Sequence, residues 1–423
     1  FRKTSGEILH TPVRPLLPMD EIPFSYNNLE GMEHRIIYYE SSRGCPYSCS
    51  YCLSSIDKTV RFRSLDLVMK ELDYFLERKV PQVKFVDRTF NCKKSHALAI
   101  WRYLLEHDNG VTNFHFEISA DLIDEEELEV MEQMRPGLIQ LEIGVQSANE
   151  ITIREINRTM KIDVLSTIVD KIKKGNNVHQ HLDLIAGLPY EGYESFGKSF
   201  DRVYKMNPEQ LQLGFLKVLK GSVMHDRAQE YGIVYQDRAP YEVLSTKWLT
   251  YAEVIRLKQI EEMVEVYYNS GQFCCTMAAL EQEFASPFCM YECLAAYYDE
   301  KNAFAVSHSR IGRYEILYDF IVKTCKERSE QYMEMLTLDM YLRDNVKKRP
   351  EFLRESGVSS DEAAAFYKKE EKERTYLKAY EGYDRRQMRK MTHLERIDGK
   401  TVLFDYKNRD PLTGNAAIYY LSE

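Results

Sequence analysis

From residue 35 onward, short apolar runs take turns with segments whose apolar positions recur at helical spacing. "RIIYYE" predicts a short buried strand, followed by a helix with apolar positions near Leu65, Val68, Leu72 and Phe75. "QVKFVD" predicts a second strand, with an amphipathic helix around Ala97 to Leu105. "NFHFEIS" and "LIQLEIGV" predict a third and a fourth, separated by the helical "EEELEVMEQM". Helical segments then run through Ile153 and from Val164 to Ile172. "HQHLDLIAG" is a fifth strand, "ESFGKSFDRVYKM" a helix, and "QLQLGFLKVL" a sixth strand. Strands alternating with helices argue for parallel strands joined by crossover helices. Six such units without closure signals predict an α/β fold, a partial, open (β/α)6 barrel.

The pattern changes on either side of that core. Residues 1–33 are rich in Pro and turn formers and read as an extended linker, the core occupies 34–220, and 221–423 is predicted to be a mainly helical domain. Its end, "TVLFDYKNRDPLTGNAAIYYL", reads as a β-hairpin. The run "KKEEKERTYLKAYEGYDRRQMRK" reads as a solvated helix face.

At 423 residues the chain has room for two or three cores, and 44% hydrophobic with 29% charged residues is ordinary for a globular protein. The net charge of −9 argues against nucleic acid and membrane surfaces as partners. No apolar run approaches the ~18 residues of a membrane span. The first residues lack the apolar core and cleavage site of a signal peptide, so a cytoplasmic protein is expected. Nine cysteines then read as thiols, some of them metal ligands, rather than as a disulfide frame. The chain begins with Phe, which leaves open whether it is a fragment of a longer protein.

The stretch "ESSRGCPYSCSYCLSS" places Cys45, Cys49 and Cys52 within eight positions. A structural zinc site wants four ligands, and the nearest following His is His96, in a separate helix. An iron–sulfur cluster with three protein thiolates leaves one iron free for another ligand. The loop follows the first strand, which puts that iron at the C-terminal end of the sheet, where such folds bind substrates. The plainer alternatives are three buried thiols or a zinc site completed from afar.

The Cys-x3-Cys-x2-Cys spacing, with Tyr51 directly before the last Cys, resembles the radical S-adenosylmethionine (SAM) superfamily over roughly residues 36 to 220. The resemblance implies a 4Fe-4S cluster whose open iron chelates SAM, and reductive cleavage to methionine and a 5′-deoxyadenosyl radical. It also implies an electron donor of flavodoxin or ferredoxin type. Glu117 in "FHFEISA" looks like the acid that oxygen-independent coproporphyrinogen oxidases present to SAM. Gln146 and Arg158 reproduce a Gln-to-Arg spacing of the same relatives, the Arg being suited to the methionyl carboxylate. Asp183 in "LDLIAGLPYE" looks like the partner of the ribose diol. Taken singly, each is equally well a strand-end polar residue capping a helix. The second strand lacks the family's Gly-rich stretch and has "FVDRTFN" instead. Asp87 is the candidate near the amine of SAM, and Thr89 and Asn91 are candidates to face the substrate.

The entry "TPVRPLLPMDEIPFSY…RIIYYESSRGCPYSCSYC" is similar to the linker and first strand of the cobalamin-associated branch of the superfamily. No cobalamin-binding domain is in this chain, which has no Asp-x-His-x2-Gly signature. If the chain is a fragment, that domain precedes Phe1. If it is complete, the corrinoid is lost or supplied by a partner. The expected function is radical chemistry on an unknown substrate, with cobalamin-dependent methyl transfer as one outcome. The alternatives are oxidation or rearrangement without cobalamin, or a non-catalytic Fe–S redox protein. Cys274, Cys275, Cys289 and Cys293 match no auxiliary-cluster spacing and read as ordinary thiols. The tail from about 221 is expected to close the mouth of the partial barrel.

Overall fold

The computed structural model describes residues 2–12, 14–56, 58–346 and 348–421. Its centre is a sheet of six strands, β1 (Ile37–Tyr39), β2 (Gln82–Phe85), β3 (Asn113–Ile118), β4 (Ile139–Gln146), β5 (His179–Ala186) and β6 (Gln210–Phe215). The strands are all parallel and lie in chain order. The sheet is open, as expected for the partial barrel.

Crossover helices include α1 (Leu65–Glu77), α2 (Lys94–Glu106), α3 (Glu125–Glu132), α4 (Glu150–Glu155), α5 (Ile162–Gly175) and α6 (Tyr193–Tyr204). α3 starts at a capping box in which Asp124 accepts from the Glu127 amide and Glu127 accepts from the Asp124 amide.

Parallel strands covered on both faces usually read as continuous apolar runs. β4 does not, because Ile139, Leu141, Ile143 and Val145 are buried while Gln140, Glu142 and Gly144 between them are only partly so. One face of the sheet therefore carries the apolar core, including Val83, Phe85, Phe114, Phe116, Leu182 and Leu213. The other face is polar in β4, and that face holds the site.

At each sheet edge one side chain pairs with the backbone of one edge residue, which covers part of the edge. On β1, the Tyr26 hydroxyl donates to the carbonyl of Tyr38 at 2.6 Å and accepts from its amide at 3.2 Å. On β6, the Asn269 side chain accepts from the amide of Leu211 and donates to its carbonyl, both at 2.9 Å. Asn269 ends a π-turn, Glu265–Asn269, that extends the helix Tyr251–Val264.

The tail beyond residue 221 packs against the side of the core. Phe288 of the helix Pro287–Glu300 meets Phe200 of α6 at 5.7 Å between ring centroids. At the C-terminus the expected hairpin is present as Lys400–Arg409 and Ala416–Tyr420, with a third strand, Thr392–Ile397, paired antiparallel to its first arm. The turn joining that third strand is only Asp398-Gly399, both with positive φ, which the charged flanking sequence obscured.

Candidate functional site

Cys45, Cys49 and Cys52 follow β1, on a loop whose shape depends on Gly44. Gly44 has φ of +106°, and a Cβ there would run into the carbonyl oxygen of Thr59. The loop is clipped to the segment after α4, where the Ser50 amide donates to the carbonyl of Ile156 at 2.9 Å. The amide of Met224 donates to the carbonyl of Ser50 at 2.8 Å.

The three cysteines line one cavity of about 300 Å³, together with the C-terminal ends of β3, β4 and β5. Of the residues singled out in the sequence, Tyr51, Thr89, Glu117, Gln146, Arg158 and Asp183 also line it. Gln146 reaches the cavity through an irregularity. The register of β4 against β5 shifts between Gly144 and Gln146, and Gln146 takes φ of 73°. A left-handed Gln is strained backbone, of the kind that concentrates at functional sites. Its Oε1 is buried without a hydrogen-bond partner.

Arg158 ties the wall together. Its guanidinium donates to the carbonyl of Gly144 and, at 3.3 Å, to the Tyr51 hydroxyl, and Nη1 lies 3.9 Å from the Cys49 sulfur. A Cβ at Gly144 would meet the Gln146 side-chain amide and press on Arg158.

Charge in the cavity is divided. Arg88 and Arg158 come from the loops after β2 and β4, while Glu117, Glu142 and Asp183 come from β3, β4 and β5. Burial, with the neighbouring Glu142, pushes the Asp183 carboxyl up to about 7, against the pull of Arg158. Burial and the same Glu142 also raise Glu117.

Residues 39–203 match the family described as the radical SAM superfamily. The core of this chain belongs to that superfamily. Residues 229–411 match a second family, described as protein of unknown function (DUF4080). The chain is 25% identical to an uncharacterized methyltransferase of Pyrococcus horikoshii, over 63% of this chain and 60% of the relative. It is 26% identical to the oxygen-independent coproporphyrinogen III oxidase of Salmonella typhimurium, over 48% of this chain and 42% of that protein. It is also 25% identical to the cobalamin-dependent radical SAM methyltransferase TokK of Streptomyces tokunonensis, over 46% of this chain and 30% of that protein. The chain thus spans 60% or less of the length of each of these relatives.

The donor set of the radical SAM core fits a cluster better than a single ion. A tetrahedral zinc with Zn–S bonds of about 2.3 Å brings its sulfurs to about 3.8 Å of one another. Cys45, Cys49 and Cys52 do not form a group with their sulfurs all within 4.8 Å, whereas Cys274, Cys275 and Asp339 do form such a group. In that second group Asp339 accepts from the amides of Cys275 and Thr276 at 2.9 and 2.8 Å, so it caps the helix Cys274–Leu280. Cys289 and Cys293 lie outside that group.

Asp87 is a correction. It does not line the cavity, and its fully buried carboxylate accepts from the amide and hydroxyl of Ser41 at 3.0 and 2.8 Å. It fastens the end of β2 to the segment after β1, because "FVD" turns this side chain toward the neighbouring loop. Arg88 and Thr89 reach the cavity in its place. Asn91 likewise does not line the cavity, and it exchanges hydrogen bonds of 2.9 Å with the backbone of Ser119. Among the described residues, none beyond Asp183 lines the cavity.

Glu142 was missed in the sequence. The signal was there, a charge among alternating apolar residues of "LIQLEIGVQ", but it resembles the solvent face of an antiparallel strand. Lys84 donates to its Oε1 at 2.8 Å, and Nε2 of His115 lies 3.1 Å from the same oxygen. Burial opposes its charge, but the contacts to His115 and Lys84 prevail and hold the carboxyl down at about 2. No helix among the described residues is long and apolar enough to cross a membrane.

Proposed function

We propose that this chain is a radical SAM enzyme that holds a 4Fe-4S cluster through Cys45, Cys49 and Cys52 and starts radical chemistry on a carbon of its substrate, with cobalamin-dependent methyl transfer as the outcome. The observation that carries the reading is convergence. Three cysteines from one loop, Glu117, Gln146 and Asp183 from three strands, and Arg158 from the segment after α4 share a single cavity. A cluster bound there supplies one electron to SAM, which releases methionine and a 5′-deoxyadenosyl radical.

The chain's own part is to bind and orient. Arg158 offers a guanidinium fork to the methionyl carboxylate, with Tyr51 and the Gly144 carbonyl fixing its direction. Asp183 accepts from the ribose hydroxyls, and Gln146 lines the same cavity. Methyl transfer is favoured by the similarity to a cobalamin-dependent methyltransferase, the corrinoid coming from a domain outside this chain. A flavodoxin- or ferredoxin-type protein provides the electron.

A second reading, oxidation without cobalamin, is favoured by the similarity to a coproporphyrinogen oxidase. Products separate the two. Anaerobic reconstitution with iron, sulfide, SAM, reductant and added cobalamin yields both S-adenosylhomocysteine and 5′-deoxyadenosine for methyl transfer, and only 5′-deoxyadenosine for oxidation. Freshly isolated, oxygen-protected protein that holds zinc and no iron would refute both.

A further inference from the structure

Glu142 sits in register with Glu117 on one side and with His181 on the other. Like charges directly opposite one another on neighbouring strands repel and destabilise the pairing. Here the two carboxyls are both partly buried and both line the cavity, with Asp183 as a third. A fold retains such a conflict at a place where something else relieves it.

The cations that contact Glu142 itself do so from behind, while Arg88 and Arg158 act on Glu117 and Asp183 from the cavity side. Lys84 contacts Glu142 but does not line the cavity, and neither do His115 or His181. His181 Nδ1 is 3.7 Å from Glu142 and its Nε2 is 3.6 Å from Asp183, too far for either to be a hydrogen bond. Burial lowers the His181 ring to about 4, so it is neutral near pH 7 and adds no positive charge. On the cavity side, Gln146 is only 8% exposed and its Oε1 has no donor. Three carboxyls thus line the same space, which calls for a cation or a donor from the ligand. The two arginines of the cavity stand on the loops, where they suit the opposite charge of a zwitterion.

We propose that Glu142 is a binding residue for a positively charged group of the bound SAM, with Lys84 and His115 as positioning residues that aim its carboxylate from below. The proposal rests on the reading of this cavity as a SAM site. The cationic group is the sulfonium or the amine, and ligand choice tells them apart. S-adenosylhomocysteine keeps the amine and lacks the sulfonium charge.

The test is equilibrium binding of SAM and of S-adenosylhomocysteine to cluster-reconstituted protein, without turnover. Glu142→Gln keeps the size of the side chain and removes its charge. It should weaken SAM roughly ten- to a hundredfold, the scale of one charge-assisted hydrogen bond. Unchanged S-adenosylhomocysteine affinity then assigns the sulfonium, and an equal loss assigns the amine. Glu142→Asp should recover part of the loss, and visible absorbance should show the cluster intact. Lys84→Gln removes one of the two groups that aim the carboxylate and should weaken SAM binding, by less than Glu142→Gln does. That variant decides the matter if Glu142→Gln does not fold, since SAM affinity equal to wild type in it overturns the proposal. Unchanged SAM affinity in folded Glu142→Gln also overturns it and leaves the radical SAM reading standing. Wild-type protein that holds its cluster and binds no SAM defeats both.

Discussion

Arg158 and Tyr51 form a latch across the site, the guanidinium donating to the phenol oxygen at 3.3 Å. Tyr51 belongs to the cysteine loop and Arg158 to the segment after β4, so the contact joins two parts of the chain that sequence alone separates by more than a hundred residues. The same guanidinium donates to the Gly144 carbonyl, which leaves its planar fork in one orientation. Lysine has the charge without the fork. Arg158→Lys should therefore keep the cluster absorbance and weaken SAM binding roughly tenfold. SAM affinity equal to wild type would remove Arg158 from the carboxylate role.

Gly44→Ala should cost the loop its shape. A methyl group at this position meets the backbone carbonyl of Thr59, and the φ of +106° is one that L residues rarely adopt. Unlike a collision with a flexible side chain, this one has no cheap escape. The variant should take up much less than the wild-type content of iron and sulfide on reconstitution while its helical circular dichroism stays near that of wild type. Full cluster occupancy would show that the loop tolerates a different path.

Asp87 should matter for stability more than for SAM. Its carboxylate is fully buried, and burial pushes it up to about 6 although Ser42 and Ser41 hydrogen bonds oppose the rise. Asp87→Ala leaves the Ser41 amide and hydroxyl without this acceptor, at a cost of about 1–3 kcal/mol. The denaturation midpoint should fall accordingly, with the SAM dissociation constant of the folded variant within about twofold of wild type. A selective loss of SAM binding at unchanged stability would restore Asp87 as a ligand contact.

Glu191 predicts a pH dependence. It is 1% exposed and accepts from the hydroxyls of Ser147 at 2.8 Å and Ser199 at 2.6 Å. Burial raises it from 4.5 to about 7, more than these hydrogen bonds lower it. The unfolded chain ionises first, so as pH rises from 4.5 to about 7 this group progressively costs the folded state stability, and the cost is constant above. The full difference is about 3 kcal/mol. Glu191→Gln should match wild type near pH 4.5 and exceed it in unfolding free energy above pH 7. A difference between the two proteins that does not change with pH would contradict this.

Much of the candidate site was legible because its cysteines follow a rule of spacing. Three thiolates on one loop have to be near one another, whatever the rest of the chain does. Glu117 and Asp183 could be placed because residues at the C-terminal ends of parallel strands share one rim. Glu142 escaped because its meaning depends on which face of β4 looks inward, and alternation looks alike for a solvated face and a cavity floor. Asp87 was misplaced for a related reason. At the end of a strand, whether a side chain points into the rim or to the next loop turns on one residue of register, and the hydroxyl of Ser41 decided it.

The sequence by itself determined the six core strands and the helices between them, since hydrophobic period and capping are local properties carried by consecutive residues. It likewise determined the trio of thiols. Only the tertiary structure decided that the tail lies along the flank, with Asn269 pairing to the free edge of β6, and that the cavity floor is acidic. Those outcomes depend on contacts between residues far apart in the chain, whose partners no local pattern names.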